Sequence, residues 1–250
     1  MHRRLTDLPI PIRDIGNNLL RALSPADFSQ LEPALEPFHA EKGEVLYEPG
    51  DNVGHAYFPC DHSLVSFRVV LADGRTVETA LIGREGAVGG IVSQGRLPAY
   101  ARSIVQFSGP FFRIAVPTLQ KAKEQSPSIK HLFARYADCL VAQIFQATAC
   151  NATHTIEERT AKWLLSAIER TNEHALPLTQ EQLAGLLGVG RSYVSRVIQR
   201  LKAEKVLVTR RGRIQIQNMP ALHRTSCDCN LLVKRHFDEV LRGVYPDPSD

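Results

Sequence analysis

The sequence predicts an α+β protein with three parts in order: an antiparallel β-roll of the jelly-roll or cupin-like kind, a long helix and a winged helix-turn-helix. Short apolar runs between turn signals indicate the roll, and apolar residues at three- and four-residue spacing indicate the long helix. Two capped helices followed by a basic hairpin indicate the winged part. The expected bounds are 1–116 for the roll, 117–152 for the long helix, 153–218 for the winged domain and 219–250 for a C-terminal helical extension.

The chain before the roll is expected to be partly helical. Residues 1–15 contain two prolines and are predicted to be irregular, whereas 17–23 form a short helix. Ser24 and Pro25 have the sequence of a helix cap and first turn, and Pro37 is expected to end this second helix.

The roll is expected to contain six strands. They are predicted at 45–47, 56–58, 64–70, 77–82, 104–107 and 111–114. Turn-forming residues separate them at 49–51, 72–74, 83–86 and 108–110. Short strands at this spacing favour a sandwich or double-sheet roll.

The long helix is predicted from Ser126 to about Asn151. Its apolar band is wide enough to pack on the roll on one side and on a twin helix on the other. The alternative is a helix buried only in its own domain. The residues expected on the dimer face are Leu132, Tyr136, Leu140 and Ile144.

Two helical segments flank the helix-turn-helix. Thr155 and Glu158 have the spacing of a capping box, which predicts a helix to about Thr171. After the wing, residues 218–242 are expected to be helical. The packing residues predicted there are Leu231, Leu232, Phe237, Val240 and Leu241.

The helix-turn-helix is predicted over residues 178–201. Thr179 and Gln182 form a second capping box, and two glycines around Val189 allow a sharp turn. In the second helix, apolar residues fall on one side and leave the other side polar. The residues expected to face outward are Arg191, Ser192, Ser195, Arg196 and Gln199, a surface suited to a DNA major groove.

Positive charge is concentrated around this turn. Residues 190–213 hold eight Lys or Arg and one acid, Glu204, which leaves 22 basic against 25 acidic residues elsewhere. Strands predicted at 206–209 and 213–216 make a basic wing of the kind that binds phosphates. The alternative is an αα-hairpin with a solvated charged face.

The composition and motifs argue against a membrane, secreted or enzymatic protein. No run of 18 apolar residues could span a membrane, and the N-terminus lacks the apolar core of a secretory signal. Five scattered cysteines favour a reducing cytoplasm over a disulfide framework. We find no catalytic triad that can be placed, no phosphate-binding loop and no zinc-protease motif, so an enzyme is not expected.

Over residues 20–217 the chain resembles the CRP/FNR family of bacterial transcription regulators. The segments that carry the resemblance are Leu178–Ala184, Gly188–Val189, Arg191–Arg196 and Gly43–Asp51. The family implies a homodimer formed through the long helix, an effector site in the cyclic-nucleotide-binding-like roll, and promoter DNA as target. RNA polymerase is a further candidate partner, and no membrane partner is expected.

The resemblance also implies roles for single residues. Arg191 and Arg196 match the family's base-reading arginines, and Ser192 stands where members often have a cytosine-reading glutamate, which predicts a different operator there. Ser192 and Ser195 complete the expected base-contacting set. The expected phosphate contacts are Thr179 and Gln180 at the first helix's N-terminus, and Lys202, Arg210, Arg211 and Arg213 from charge.

The candidate effector pocket consists of Gly89, Gly90, Arg102 and Ser103. Cyclic-nucleotide-binding members carry a glutamate where this chain has Gly90, which cannot accept the ribose hydrogen bond. Cyclic nucleotide binding is therefore doubtful, and the effector stays unidentified. No iron–sulfur cluster is expected because no cysteine precedes Cys60.

Cys227 and Cys229 form an unusual pair near the C-terminus. With His223 and His236 they could bind zinc or act as a redox switch. The Cys-X-Cys spacing is shorter than in the common zinc knuckle, so two packed thiols and no metal are expected.

The leading hypothesis is a homodimeric regulator that reads a palindromic promoter site. The alternative is a small-molecule, redox or metal sensor that signals through protein contact and not through DNA binding.

Overall fold

The computed structural model of the chain describes residues 15–92 and 97–242. An irregular conformation is predicted for residues 1–15, of which only Ile15 belongs to the described residues. In the described part, a double-sheet roll, two consecutive helices and a winged domain follow one another, as the α+β prediction requires.

The roll consists of two antiparallel sheets. Its strands are β1 (Glu36–Ala40), β2 (Val45–Tyr47), β3 (His55–Pro59), β4 (Leu64–Val70), β5 (Thr76–Ile82), β6 (Arg102–Phe107) and β7 (Gly109–Ala115). One sheet has the order β1-β7-β3 and the other β2-β6-β4-β5. The six predicted strands are confirmed, and the turn predicted at 108–110 is wrong at Gly109 and Pro110, which begin β7.

Two short helices precede the roll, α1 (Asn18–Arg21) and α2 (Pro25–Leu31). The side chain of Ser24 accepts a hydrogen bond from the backbone N–H of Asp27, which confirms the predicted cap. Pro37 does not end α2. It lies in β1, opposite Phe112, because a proline without an N–H is tolerated in an edge strand.

Helices α3 (Val116–Gln125) and α4 (Pro127–Thr153) follow the roll. Ser126 caps α4 by accepting a hydrogen bond from the N–H of Ile129. The long helix is thus confirmed, and α3 is an additional helix that the pattern did not separate from it.

The residues of α4 that are exposed differ from those predicted for the dimer face. Leu132 and Tyr136 are buried in the core of their own chain, and Leu140 is half-buried. This corrects the prediction for the first half of the helix, because the roll and the C-terminal helix α9 (Cys229–Val240) cover it. The exposed apolar side chains lie further along, at Val141, Ile144 and Phe145, and Phe145 is 70% exposed.

The winged domain contains α5 (Ile156–Thr171), β8 (Ala175–Leu176), α6 (Gln180–Leu187), α7 (Arg191–Ala203), β9 (Leu207–Arg210) and β10 (Arg213–Ile216). Its sheet has the order β8-β10-β9, so the predicted hairpin gains a third strand. The domain's core also includes Leu64, Leu81 and Phe107 of the roll. The two domains therefore pack directly on each other.

The C-terminal extension folds back on the long helix. It contains α8 (Met219–Thr225) and α9 (Cys229–Val240), and α9 packs along α4 with Phe237 edge-on to Tyr136 at 6.5 Å between ring centroids. Phe237 and Leu241 are buried as predicted, whereas Leu231 and Leu232 are exposed because α9 turns them away from α4.

In residues 15–92 and 97–242, no helix is both long enough and apolar enough to cross a membrane.

Candidate nucleic-acid interface

The first helix of the helix-turn-helix begins with the predicted capping box. Thr179 Oγ1 accepts from the N–H of Gln182 at 3.1 Å, and Gln182 Oε1 accepts from the N–H of Thr179 at 3.0 Å. The helix ends at Gly188, whose φ of 67° is in the left-handed region that favours glycine. These local bonds set the sharp turn into α7.

Helix α7 presents a polar face to solvent. Val194, Ile198 and Leu201 are buried, because they fall on the side that packs against α5 and α6. On the other side, Arg191, Ser192, Arg196 and Gln199 are exposed, while Ser195 is half-buried. The four candidate base-contacting residues thus lie on one helix, with the two arginines accessible.

Tyr193 is a surface residue that the sequence reasoning did not select. It is 49% exposed, and the guanidinium of Arg196 lies over its ring at 4.9 Å from the centroid. A cation over an aromatic face restricts the arginine side chain. The three-residue spacing on a helix was the signal that could have identified this pair.

The wing carries exposed cations. Arg210 and Arg213 pair across the β9–β10 hairpin, and Gly212 in its turn has a φ of 71°. Arg210, Arg211, Arg213 and Lys202 are all exposed. Arg200 differs, because its guanidinium pairs with Glu157 at 2.9 Å and with Glu204 at 3.0 Å.

The N-terminus of α6 touches the roll. Lys42 Nζ donates to Gln182 Oε1 at 3.1 Å and to the carbonyl of Pro177. Burial lowers the pKa of Lys42. Thr179 stays exposed beside this contact and Gln180 is half-buried, so only one of these two expected phosphate contacts is fully accessible.

Polar contacts join α5 to the roll. Trp163 Nε1 donates to Glu78 Oε1 at 2.7 Å, and Arg170 forms an ion pair with Glu85 at 2.9 Å. Burial raises the pKa of Glu78 to about 7, although the hydrogen bond from Trp163 favours its charged form. The orientation of the winged domain therefore depends on polar groups buried against the sheet.

The candidate effector residues have structural roles in this conformation. Gly90 has a φ of 48°, and a Cβ there would lie 2.2 Å from Val116 Cγ2. Gly89 also has no room for a side chain, since a Cβ would lie 2.6 Å from the carbonyl oxygen of His55. The pair thus allows α3 and β3 to approach the loop closely.

Arg102 and Ser103 are the first two residues of β6. Arg102 Nε is bound to Glu48 Oε2 at 2.8 Å, so its charge is already paired. Ser103 is buried opposite Tyr47 of β2. A phosphate at Arg102 would have to displace this carboxylate.

Residues 158–225 match the model of the Crp-like helix-turn-helix domain. No curated protein sequence matches the chain. Among solved structures, FixK2 from Bradyrhizobium japonicum is similar with a TM-score of 0.66 and 18% identity, covering 77% of this chain and 98% of that one.

Two further structures have the same fold. The c-di-GMP-responsive global regulator CLP from Xanthomonas campestris has a TM-score of 0.63 and 16% identity, over 77% of this chain and 99% of that one. A CRP-family transcriptional regulator from Thermus thermophilus has a TM-score of 0.62 and 19% identity, over 76% and 96%. Residues 158–225 therefore form a Crp-like helix-turn-helix domain, and the chain shares the fold of these solved structures.

Proposed function

We propose that the protein is a homodimer that binds a palindromic promoter site and regulates transcription in response to an effector sensed by the roll. The observation that carries this proposal is the exposed face of α7, with Arg191 and Arg196 both accessible in a Crp-like helix-turn-helix. An arginine that donates two hydrogen bonds to guanine is the commonest specific contact to DNA.

Base and phosphate contacts are proposed for different surfaces. Arg191, Ser192, Ser195 and Arg196 face the base edges, with Tyr193 restricting Arg196. The phosphate contacts come from the α6 N-terminus and the wing. They are Thr179, Gln180, Lys202, Arg210, Arg211 and Arg213.

The dimer is proposed to form through the second half of α4. Val141, Ile144 and Phe145 give an apolar stripe at helical spacing that its own chain leaves exposed. A two-fold axis along this stripe would relate two α7 helices, and a spacing of about 34 Å would fit successive major grooves.

Regulation is proposed to act through the packing of the roll on the winged domain. Because β5 contacts α5 through Glu78 and Trp163, and Lys42 contacts the start of α6, a displacement in the roll would move the helix-turn-helix. The effector itself is unassigned. We place the regulator with the chromosome in the cytoplasm, with RNA polymerase as a candidate partner.

Selection from random DNA tests the proposal. We expect the purified protein to enrich a two-fold symmetric sequence and to bind it with an affinity that falls steeply with salt. Arg196→Ala should weaken that binding by roughly 10- to 100-fold and relax the preference at one base pair of each half-site. Arg113→Ala is the control, because it also removes one arginine charge. Arg113 is paired with Glu36 in the sheet β1-β7-β3 of the roll and is not part of the winged domain.

Two results would contradict the proposal. One is the absence of any enriched, salt-sensitive site. The other is unchanged binding when both Arg191 and Arg196 are neutralised, which would favour a sensor that signals through protein contact.

A further inference from the structure

Four potential metal ligands meet where the long helix ends. The ligand atoms of Cys150, His154, Cys227 and Cys229 all lie within 4.8 Å of one another. Cys150 and His154 are four residues apart and therefore lie on one face at the end of α4. Cys227 and Cys229 flank the start of α9. The chain thus brings together two ligand pairs that are more than 70 residues apart.

Two of the distances between ligand atoms match those around a tetrahedral ion. Zinc bound by thiolates at about 2.3 Å and by imidazole at about 2.0 Å requires ligand-to-ligand distances of about 3.5–3.8 Å. Cys150 Sγ lies 3.7 Å from Cys227 Sγ, and Cys229 Sγ lies 3.6 Å from His154 Nδ1. We propose that Cys150, His154, Cys227 and Cys229 form a structural binding site for one Zn²⁺ ion per chain.

Two neighbouring polar groups can stabilise bound thiolates. Gln146 Nε2 donates to Cys229 Sγ at 3.1 Å, as residues around a metal site commonly do for a bound thiolate. The ammonium of Lys162 lies close enough to Cys150 to attract a negative charge there. Three thiolates, a neutral imidazole and Zn²⁺ carry a net charge of −1, which Lys162 can offset.

The cluster is closed, which indicates a structural and not a catalytic metal. Cys150, Cys227 and Cys229 are buried and form an apolar cluster by themselves, while His154 is half-buried. Four protein ligands leave no position for substrate or water. Binding would exchange up to three thiol protons for the ion, with no change of oxidation state.

The ligands proposed here differ from the Cys227, Cys229, His223 and His236 set that the sequence suggested. His223 and His236 lie outside the group of ligands found in the described part of the chain, and His154 and Cys150 of α4 complete it instead. The short Cys-X-Cys spacing is sufficient because the other two ligands come from a separate helix. All five cysteines are free, so no disulfide competes for these sulfurs.

The site has a clear mechanical consequence. His154 immediately precedes Thr155, which caps α5, so the ion would sit at the junction between α4 and the winged domain. It would tie the C-terminal extension to that junction. This inference does not depend on the identity of the DNA target or of the effector.

Metal binding by the full-length protein tests the inference. Protein stripped with a chelator under reducing conditions is titrated with Co²⁺ and then with Zn²⁺. We expect one Co²⁺ per chain with the intense visible bands of tetrahedral coordination and a sulfur-to-cobalt charge-transfer band, displaced by one Zn²⁺. The zinc dissociation constant should be on the order of 10⁻⁹ M or tighter.

Variants assign the ligands. Cys229→Ser and His154→Ala should lose stoichiometric zinc and alter the cobalt spectrum. Cys139→Ser removes a buried thiol of α4 outside the site, so this variant should keep the zinc stoichiometry and the cobalt spectrum of the wild type. Circular dichroism checks folding, and His154 is half-buried, so its variant remains informative if Cys229→Ser unfolds. A wild-type protein without the charge-transfer band, full zinc retention in His154→Ala, or a Cys150–Cys227 disulfide under reducing conditions would overturn the proposal.

Discussion

The indole N–H of Trp163 on α5 donates a 2.7 Å hydrogen bond to the buried carboxylate of Glu78 on β5. This contact joins the winged domain to the sheet of the roll that contains β5. Burial, the largest effect, raises the pKa of Glu78 to about 7, against the opposing influence of Trp163, Ser66, Arg68 and Lys162. A proton at this site is therefore held near neutral pH at the junction between the two domains.

The stability of the protein should depend on this proton. Between the ordinary pKa of 4.5 and the folded value of about 7, the folded protein holds a proton that the unfolded chain has lost. The free energy of unfolding therefore falls as pH rises through this window, by up to about 3 kcal/mol, and stays lower above it.

Glu78→Gln should remove that dependence while keeping an oxygen that accepts from Trp163. In urea unfolding, we expect the variant to gain stability relative to wild type on going from pH 5 to pH 8. Glu239→Gln, at an exposed glutamate of α9, should show no such trend. An identical difference between Glu78→Gln and wild type at both pH values would contradict the prediction.

The wing should bind DNA without regard to sequence. Arg211→Ala removes an exposed cation, so we expect binding to weaken by a similar factor on the selected site and on random DNA. The slope of log K against log salt should become shallower by about 1. Anisotropy titrations at several salt concentrations measure both quantities. A change in base preference would assign Arg211 to the base edges and refute its proposed phosphate role.

The dimer should depend on the exposed stripe of α4. Phe145→Glu places a charge at its most exposed residue, and we expect the dimer dissociation constant to rise by at least about 100-fold. Sedimentation equilibrium measures it. Leu231→Glu, at an exposed apolar residue of α9, should leave the dimer intact. The opposite pattern would place the interface on α9 and rule out the α4 stripe.

Gly90 should be required for folding, not for effector binding alone. Gly90→Ala adds a Cβ 2.2 Å from Val116 at a φ of 48°, and we expect a loss of about 3 kcal/mol or more. Gly74→Ala also has a positive φ, 82°, but its Cβ meets nothing within 4 Å, so it should cost about 1 kcal/mol. Thermal unfolding compares the two. Equal costs would mean that backbone strain alone, and not the contact with Val116, makes this glycine necessary.

Features that depend on neighbouring residues could be predicted from the sequence. The caps at Ser24, Ser126, Thr155 and Thr179 are present because each hydrogen bond closes within three residues, so the sequence contains both partners side by side. The outward arginines of α7 follow from the same logic, since helical periodicity alone separates them from Val194 and Ile198.

Features that depend on distant residues were decided by the tertiary structure. The pattern of α4 predicted Tyr136 on the dimer face, but Phe237 of the returning α9 packs on it. Phe145, further along the same helix, stays exposed instead. Likewise, Cys150 and Cys227 lie 77 residues apart, and only the path of the C-terminal extension brings their sulfurs together. Helical periodicity defines which side chains share a face, whereas the long-range packing of the chain determines what covers that face.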